Sequence, residues 1–245
     1  MNNKKDNVFS DPLSQIVDFK FDKKVADIFE DMLKRSIPGY ASTVSMIGVI
    51  ADRFFQSGTN CYDLGSSLGA ATLAVRRKIE GRNGKIIAVD NSEQMIARSK
   101  KYIDADNSKT PVELICGDVR DIKIKNASIV ILNFTLQFIS PNDRTNLLQK
   151  IYNGLLPGGI VLISEKIKFE DIDEDNLMID LYYDFKRLNG YSELEISQKR
   201  DALENVMIVD TLNTHQSRAK KCGFNNFYLW FRTFNFISYF LIKQV

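Results

Sequence analysis

Two rhythms of apolar and polar positions alternate along most of this chain. From about residue 60, short runs dominated by β-branched and other apolar residues (60–64, 85–90, 112–116, 128–133 and 160–166) are separated by longer stretches at 70–78, 92–102 and 141–154 with helical periodicity. The first rhythm fits buried strands and the second amphipathic helices, so their alternation predicts a parallel sheet built from strand, helix, strand units. Residues 1–57 hold two helical patterns, around 21–33 and 42–55, parted by Ser36-Ile37-Pro38-Gly39-Tyr40, where Pro-Gly marks a loop. After Lys166 the alternation lapses, and about 169–209, rich in charge and helix formers, predicts a helical insertion. A helix at 214–221, stopped by Gly223 in the C′ position, leads into aromatic-rich runs at 226–232 and 236–242 that predict an antiparallel hairpin at the sheet edge.

The expected architecture is therefore α/β: a mostly parallel seven-stranded sheet with an antiparallel C-terminal hairpin, N-terminal helices and a helical insertion. Residues 1–57 are read as a helical cap and 58–245 as the main domain. Asn91-Ser92-Glu93-Gln94 fits a capping box with Asn91 as the cap. Gly81-Arg82-Asn83-Gly84 and Leu155-Leu156-Pro157-Gly158-Gly159 read as turns entering the second and fifth strands.

Composition narrows the chemistry mainly by exclusion. With 245 residues, 44% hydrophobic and 26% charged, the chain is ordinary globular protein, and a net charge of +2 without long blocks of one sign gives no argument for nucleic acid or anionic membrane. Cys61, Cys116 and Cys222 are odd in number and widely spaced, and His215 is the single histidine, so neither a disulfide framework nor a multi-His metal site is expected. His215, within Thr214-His215-Gln216-Ser217-Arg218, is expected to be solvated on a surface helix. The N-terminus is polar and no run approaches ~18 apolar residues, so a cytoplasmic location is expected.

The most informative stretch is Asn60-Cys-Tyr-Asp-Leu-Gly65-Ser-Ser-Leu-Gly69-Ala-Ala71. Gly65 allows a sharp turn out of the strand, Ser66 and Ser67 keep the backbone open, and Gly69 with two alanines lets the next helix pack close, which leaves room for a ligand against backbone amides. Asp90 ends the second strand, where a carboxylate can accept both hydroxyls of a ribose. A glycine turn after a strand is common in any α/β fold, and nucleotide dehydrogenases share both features, yet this loop lacks the G-x-G-x-x-G spacing. In Gly117-Asp118-Val119, the acidic residue after the third strand resembles the place where Rossmann-like class I methyltransferase-fold proteins hold the adenine of S-adenosylmethionine. The fourth strand ends in Asn133-Phe134-Thr135-Leu136-Gln137-Phe138, on the edge of the sheet where ligands sit.

Several motifs carry a narrower resemblance. Ser36-Ile-Pro-Gly-Tyr40, Tyr62-Asp-Leu-Gly65, Ser67-Leu-Gly-Ala-Ala71, Asn133-Phe-Thr-Leu-Gln-Phe138, Asp184-Phe-Lys-Arg187, Asn189-Gly-Tyr-Ser-Glu-Leu-Glu-Ile-Ser-Gln-Lys-Arg200 and Leu203-Glu-Asn-Val-Met207 together resemble the carboxy-S-adenosylmethionine synthase family over almost the whole chain. One departure stands out, Ser66, where the family often has Cys. The resemblance implies that prephenate yields its carboxyl group to the methyl of S-adenosylmethionine, through an ylide that captures carbon dioxide, and becomes phenylpyruvate. It implies a homodimer functionally linked to a separate tRNA carboxymethyltransferase that modifies wobble uridine, while the composition and charge lead to no expectation of a metal or of direct nucleic acid or membrane contact. By position, Tyr40, Gly65, Ser66, Ser67, Asp90, Asn91, Asp118, Val119 and Asn133 resemble the family's adenosyl-sulfonium contacts and Arg200 its carboxylate clamp. A guanidinium meets a carboxylate through a planar fork, which suits that role. Tyr191 and Phe185 are read as core aromatics of the insertion, and Asp184, Lys186 and Arg187 as interface or helix-surface residues. A conventional methyltransferase and a non-catalytic adenosyl-sulfonium binder share the pocket residues. The tetrad Asn133-Phe-Thr-Leu136 is unlike the Pro-rich loop of adenine and glutamine methylases, and a scaffold needs neither the insertion motif nor Arg200.

Overall fold

The computed structural model describes residues 5–244. Two helices, α1 (Lys23–Ser36) and α2 (Tyr40–Phe54), precede the sheet. The chain then alternates through β1 (Asn60–Leu64), α3 (Ala70–Lys78), β2 (Lys85–Asp90), α4 (Glu93–Ala105), β3 (Val112–Cys116), β4 (Ala127–Asn133), α5 (Pro141–Gly154) and β5 (Leu155–Lys168). The insertion is α6 (Ile172–Leu188) and α7 (Glu193–Leu203). It is followed by the two-residue β6 (Asp210–Thr211), α8 (Leu212–Lys221), β7 (Tyr228–Thr233) and β8 (Phe236–Ile242). The strands run in the order β3-β2-β1-β4-β5-β8-β7, with β6 beside β5. β1 to β5 pair in parallel, whereas β8 is antiparallel to both β5 and β7.

Period-two alternation along the central strands fills two cores. Ile129 and Ile131 of β4 face α2 and α3, where Ile47, Ala51 and Val75 are buried. Val130 and Leu132 face α5 and the C-terminal segment, packing with Leu147, Ile151 and Phe224. A third core joins the amino-terminal segment to the insertion through Phe9, Phe19, Phe29, Met32 and Ala202. There, Gln198 of α7 donates to the carbonyls of Phe9 and Asp11, both at 3.0 Å, and accepts from the Leu13 amide at 2.7 Å. The Phe19 amide bonds the Ala202 carbonyl at 2.9 Å. Asp6 takes the Tyr191 hydroxyl, and Arg35 holds the carbonyls of Asn189 and Gly190, both at 2.8 Å.

Four expectations are corrected. The cap of α4 is Ser92, which accepts from the Met95 amide, because Asp90 turns back to accept the Ser92 amide at 2.9 Å and shifts the helix start by one residue. Residues 155–159 are not a separate turn but the irregular start of β5: Leu155 pairs with Ala127, and the Gly158 and Gly159 backbones bond Lys243 across the edge. Lys186 is buried, beside Tyr182, while Asp184 and Arg187 are exposed and paired with each other.

His215 is buried as well, not solvated. Its ring packs edge-on against Tyr239, and Nδ1 lies 3.0 Å from the Tyr239 hydroxyl and 3.5 Å from Arg218. Burial, and then the positive charge of Arg218, holds the imidazole at a pKa of about 4 against an ordinary 6.5. Between those two values the unfolded chain carries a proton that the folded chain lacks. Stability therefore falls as pH drops through that window, by roughly 3 kcal/mol in full. His215→Gln is expected to flatten this dependence in urea unfolding at pH 7 and pH 4.5, and an unchanged difference between the two pH values would count against the assignment.

Candidate active site

The loop from β1 to α3 is shaped by its own backbone hydrogen bonds. The amides of Gly65 and Ser66 both bond the Val89 carbonyl of β2, at 2.8 and 2.9 Å, and the Gly69 amide closes the turn on Ser66 at 2.8 Å. Gly65 and Gly69 have φ of +80° and +85°, and Ser67 adopts +47°. The Asp90 carboxylate accepts the Ser67 amide at 2.8 Å through its second oxygen. It thus braces the loop while also capping the next turn.

Above this loop opens a cavity of about 470 Å³, within the usual range for small-molecule sites. Tyr40, Gly65, Ser66, Ser67 and Asn133, all named from sequence, line it. Two of their side-chain atoms, Ser66 Oγ and Asn133 Oδ1, are buried with no hydrogen-bond partner. A buried polar group without a partner costs about 1–3 kcal/mol, so atoms of this kind on a cavity wall fit a ligand that pairs with them. Phe134 follows at a φ of +60°, a conformation that is strained for a bulky side chain, with its ring between those of Tyr40 and Phe236 at 6.4 and 6.1 Å. The chain is held there by neighbours. The Phe134 amide bonds the Ser164 carbonyl, Thr135 Oγ1 bonds the Leu64 carbonyl, and the buried Glu165 accepts the amides of Leu136 and Gln137 at 2.9 and 2.8 Å. Burial pushes the Glu165 carboxyl up to about 8 despite those bonds.

Asp63 lies on the same wall, buried, with Thr72 donating to it at 2.6 Å. Desolvation lifts its pKa to about 6, and neighbouring Asp90 adds to the rise. A carboxylate under that pressure gains from a cation, and the surrounding rings of Tyr40 and Phe134 also attract one. The Tyr40 phenol is itself pushed up, by burial first and then by Asp63, and stays a hydroxyl donor.

The other sequence-named residues stand away from the cavity lining. Asp90 is spent on the amides of Ser67 and Ser92, and Asn91 is exposed beside it. Asp118 is gripped by Arg120 at 2.7 Å, which holds its carboxyl below the usual range, and Val119 is buried in the core. Arg200 points outward, 59% exposed and paired with Asp201 at 3.0 Å. Its neighbour Lys199 faces inward and lines the cavity, as do Lys166 and Asp63. None of these three was named as a site residue from sequence. Asp63 sits inside the glycine-loop motif, where its position at the end of a strand was the available signal.

The strand order, with an antiparallel last pair and a glycine-bearing loop after β1, defines a class I methyltransferase fold. A methyltransferase domain model matches residues 62–159. The crystal structure of human N-acetylserotonin methyltransferase in complex with S-adenosylmethionine superimposes with a TM-score of 0.61 at 16% identity, covering 91% of this chain and 56% of that one. The carboxy-S-adenosyl-L-methionine synthases of Shewanella halifaxensis and Shewanella putrefaciens are 56% and 57% identical over 243 residues, 99% of this chain and 100% of theirs. The chain belongs to the carboxy-S-adenosyl-L-methionine synthase family, a family of enzymes.

Proposed function

We propose that this chain converts S-adenosylmethionine and prephenate into carboxy-S-adenosylmethionine and phenylpyruvate. Its product serves a separate tRNA carboxymethyltransferase, and the enzyme works as a cytoplasmic homodimer. Full-length likeness to the family's synthases supports the reading. The observation that carries it at the site is the aromatic cavity where Ser66 Oγ and Asn133 Oδ1 stand unpartnered near Asp63.

The donor is a sulfonium, and the chain meets its charge with Asp63 and aromatic faces. As the cation enters, Asp63 is drawn to its ionised form, so binding tightens as pH rises through about 6. Atoms balance without an external oxidant or reductant. Prephenate loses its ring carboxyl as carbon dioxide and its ring hydroxyl, the sulfonium methyl loses a proton, and water leaves. A bond then forms between the methyl carbon and the carboxyl carbon. Water would protonate an ylide and an open site would let carbon dioxide diffuse away, so the step calls for a closed, dry site, which the Phe134, Phe236 and Tyr182 walls favour. Asp90, Asn91, Asp118 and Val119 remain assigned to the adenosine side, and Arg200 to the new carboxylate, a role that requires its guanidinium to leave Asp201.

The test uses prephenate carrying ¹³C in its ring carboxylate. The expected result is label in a product one carbon dioxide heavier than S-adenosylmethionine less its lost proton. Label found only as bicarbonate would overturn the proposal. In the same assay series, Arg200→Ala is expected to keep S-adenosylmethionine affinity and lose at least about tenfold of the preference for the carboxylated form. An unchanged ratio removes Arg200 as the clamp.

A further inference from the structure

Three lysines converge where the insertion meets the end of β5. Lys166 and Lys199 line the cavity, and Lys186 lies behind its Tyr182 wall. Lys186 and Lys199 are buried. The Lys166 and Lys186 ammonium groups sit 4.6 and 4.9 Å from the centre of the same Tyr182 ring. Among the described residues neither has a carboxylate within ion-pair distance. Lys199 touches Ser36 Oγ at 2.9 Å, and Asp6, at 3.4 Å, is among the described residues the one carboxylate within ion-pair reach of the three. Asp6 is already shared with the Tyr191 hydroxyl and lies near Arg35.

This charge is in the wrong place for the sulfonium. A cationic donor gains nothing from the ammonium groups of Lys166 and Lys199 on the cavity wall, and the opposite demand is met at Asp63 on β1. Buried cations in excess of buried carboxylates are costly unless an anion completes them. The aromatic rings beside them, Tyr182, Phe134 and Phe236, are suited to an unsaturated six-membered ring. We infer that Lys166 and Lys199, which line the cavity, form the subsite for the carboxylates of the second substrate, an anionic ring compound bearing two of them, with Lys186 standing behind Tyr182. The identity of that compound as prephenate rests on the function proposed above.

The surroundings also give the subsite a pH signature. Lys166 faces Tyr182, Lys186 and, at longer range, Asp175 of α6. Lys199 faces Asp6, Ser36, Arg35 and Tyr191, with Glu195 on its own helix. Desolvation brings both lysines down to about 8, and desolvation with repulsion from Lys199 and Lys166 takes Lys186 well below its ordinary value. A dianion restores their protons on binding, so kcat/KM for it falls as pH rises above about 8.

The experiment measures prephenate binding to protein loaded with S-adenosylhomocysteine, which has no methyl to react, and turnover with S-adenosylmethionine alongside it. Lys166→Met is expected to weaken prephenate binding at least tenfold, leave S-adenosylmethionine affinity within twofold, and keep the melting temperature. Lys166→Arg should recover most of the affinity and carry it to higher pH. Lys199→Met is expected to act likewise, with its fold checked because it strips Asp6 of a partner. Wild-type turnover of prephenate together with undiminished prephenate binding in Lys166→Met and Lys199→Met would overturn the subsite and leave the function standing. A wild type that neither binds nor converts prephenate would overturn the function and, with it, the ligand assigned here.

Discussion

Gly65→Ala is expected to weaken S-adenosylmethionine binding by at least about thirtyfold while the sheet stays folded. Two costs combine. An alanine forced to a φ of +80° loses about 1–2 kcal/mol. Its Cβ would also lie 2.5 Å from Thr135 Cγ2 and hard against Thr135 Oγ1, which holds the Leu64 carbonyl at 2.8 Å. Overpacking of this kind costs about 1–3 kcal/mol. Thr135 can yield only by moving the segment from Asn133 to Phe138, and Asn133, Phe134, Gln137 and Phe138 line the cavity. Calorimetry on the purified variant checks this. Wild-type affinity would mean that the loop is not a binding surface.

Asp210→Asn should have the largest effect on stability, about 3–5 kcal/mol, which for a chain of this size lowers the melting temperature by roughly 10 °C. Asp210 accepts Arg144 at 2.7 Å and Arg218 at 2.5 Å through one oxygen, and Arg144 is only 1% exposed. Burial pushes the Asp210 carboxyl up, but the two arginines outweigh it and hold the pKa low. Its stabilisation is present above the ordinary aspartate pKa and is lost as pH falls towards the lower folded value. Without the charge, Arg144 keeps the carbonyls of Ile139, Gln137 and Ile208 but is a buried cation that has lost its ion-pair partner. A melting curve within 2 °C of wild type would show that those carbonyls suffice.

Much of the frame was legible because it is local. Strands 60–64, 85–90 and 112–116 and helices 70–78 and 141–154 begin and end as the pattern of apolar positions and turn residues indicates. What escaped depends on partners far away in sequence. His215 reads as a surface residue from its neighbours, whereas in the fold Tyr239, supplied by β8, packs against its ring. Asp90 carries a visible carboxylate, but its orientation towards the amides of Ser67 and Ser92 is set by a turn that spacing does not reveal. In Gln198-Lys199-Arg200-Asp201, consecutive residues are about 100° apart on a helix, so Lys199 points in where Arg200 points out. A charged run hides which of its members faces the ligand. The register was settled by Asp6 and Ser36, more than 160 positions away.

The contacts of the amino-terminal segment also order events on the ribosome. Phe9 meets Gln198 across 189 positions, and Asp6 meets Tyr191 across 185. A chain emerging from its amino end therefore exposes Phe9 and Phe19 long before the helix that covers them exists. The sheet from β1 to β4 can pair while that segment still waits. Contacts of such long sequence separation form late because closing the loop costs entropy before any contact is gained. The wall that this segment gives the ligand cavity thus assembles only after the insertion has been made, and nascent chains arrested before Gln198 should be cut by protease within the first twenty residues while their parallel strands resist.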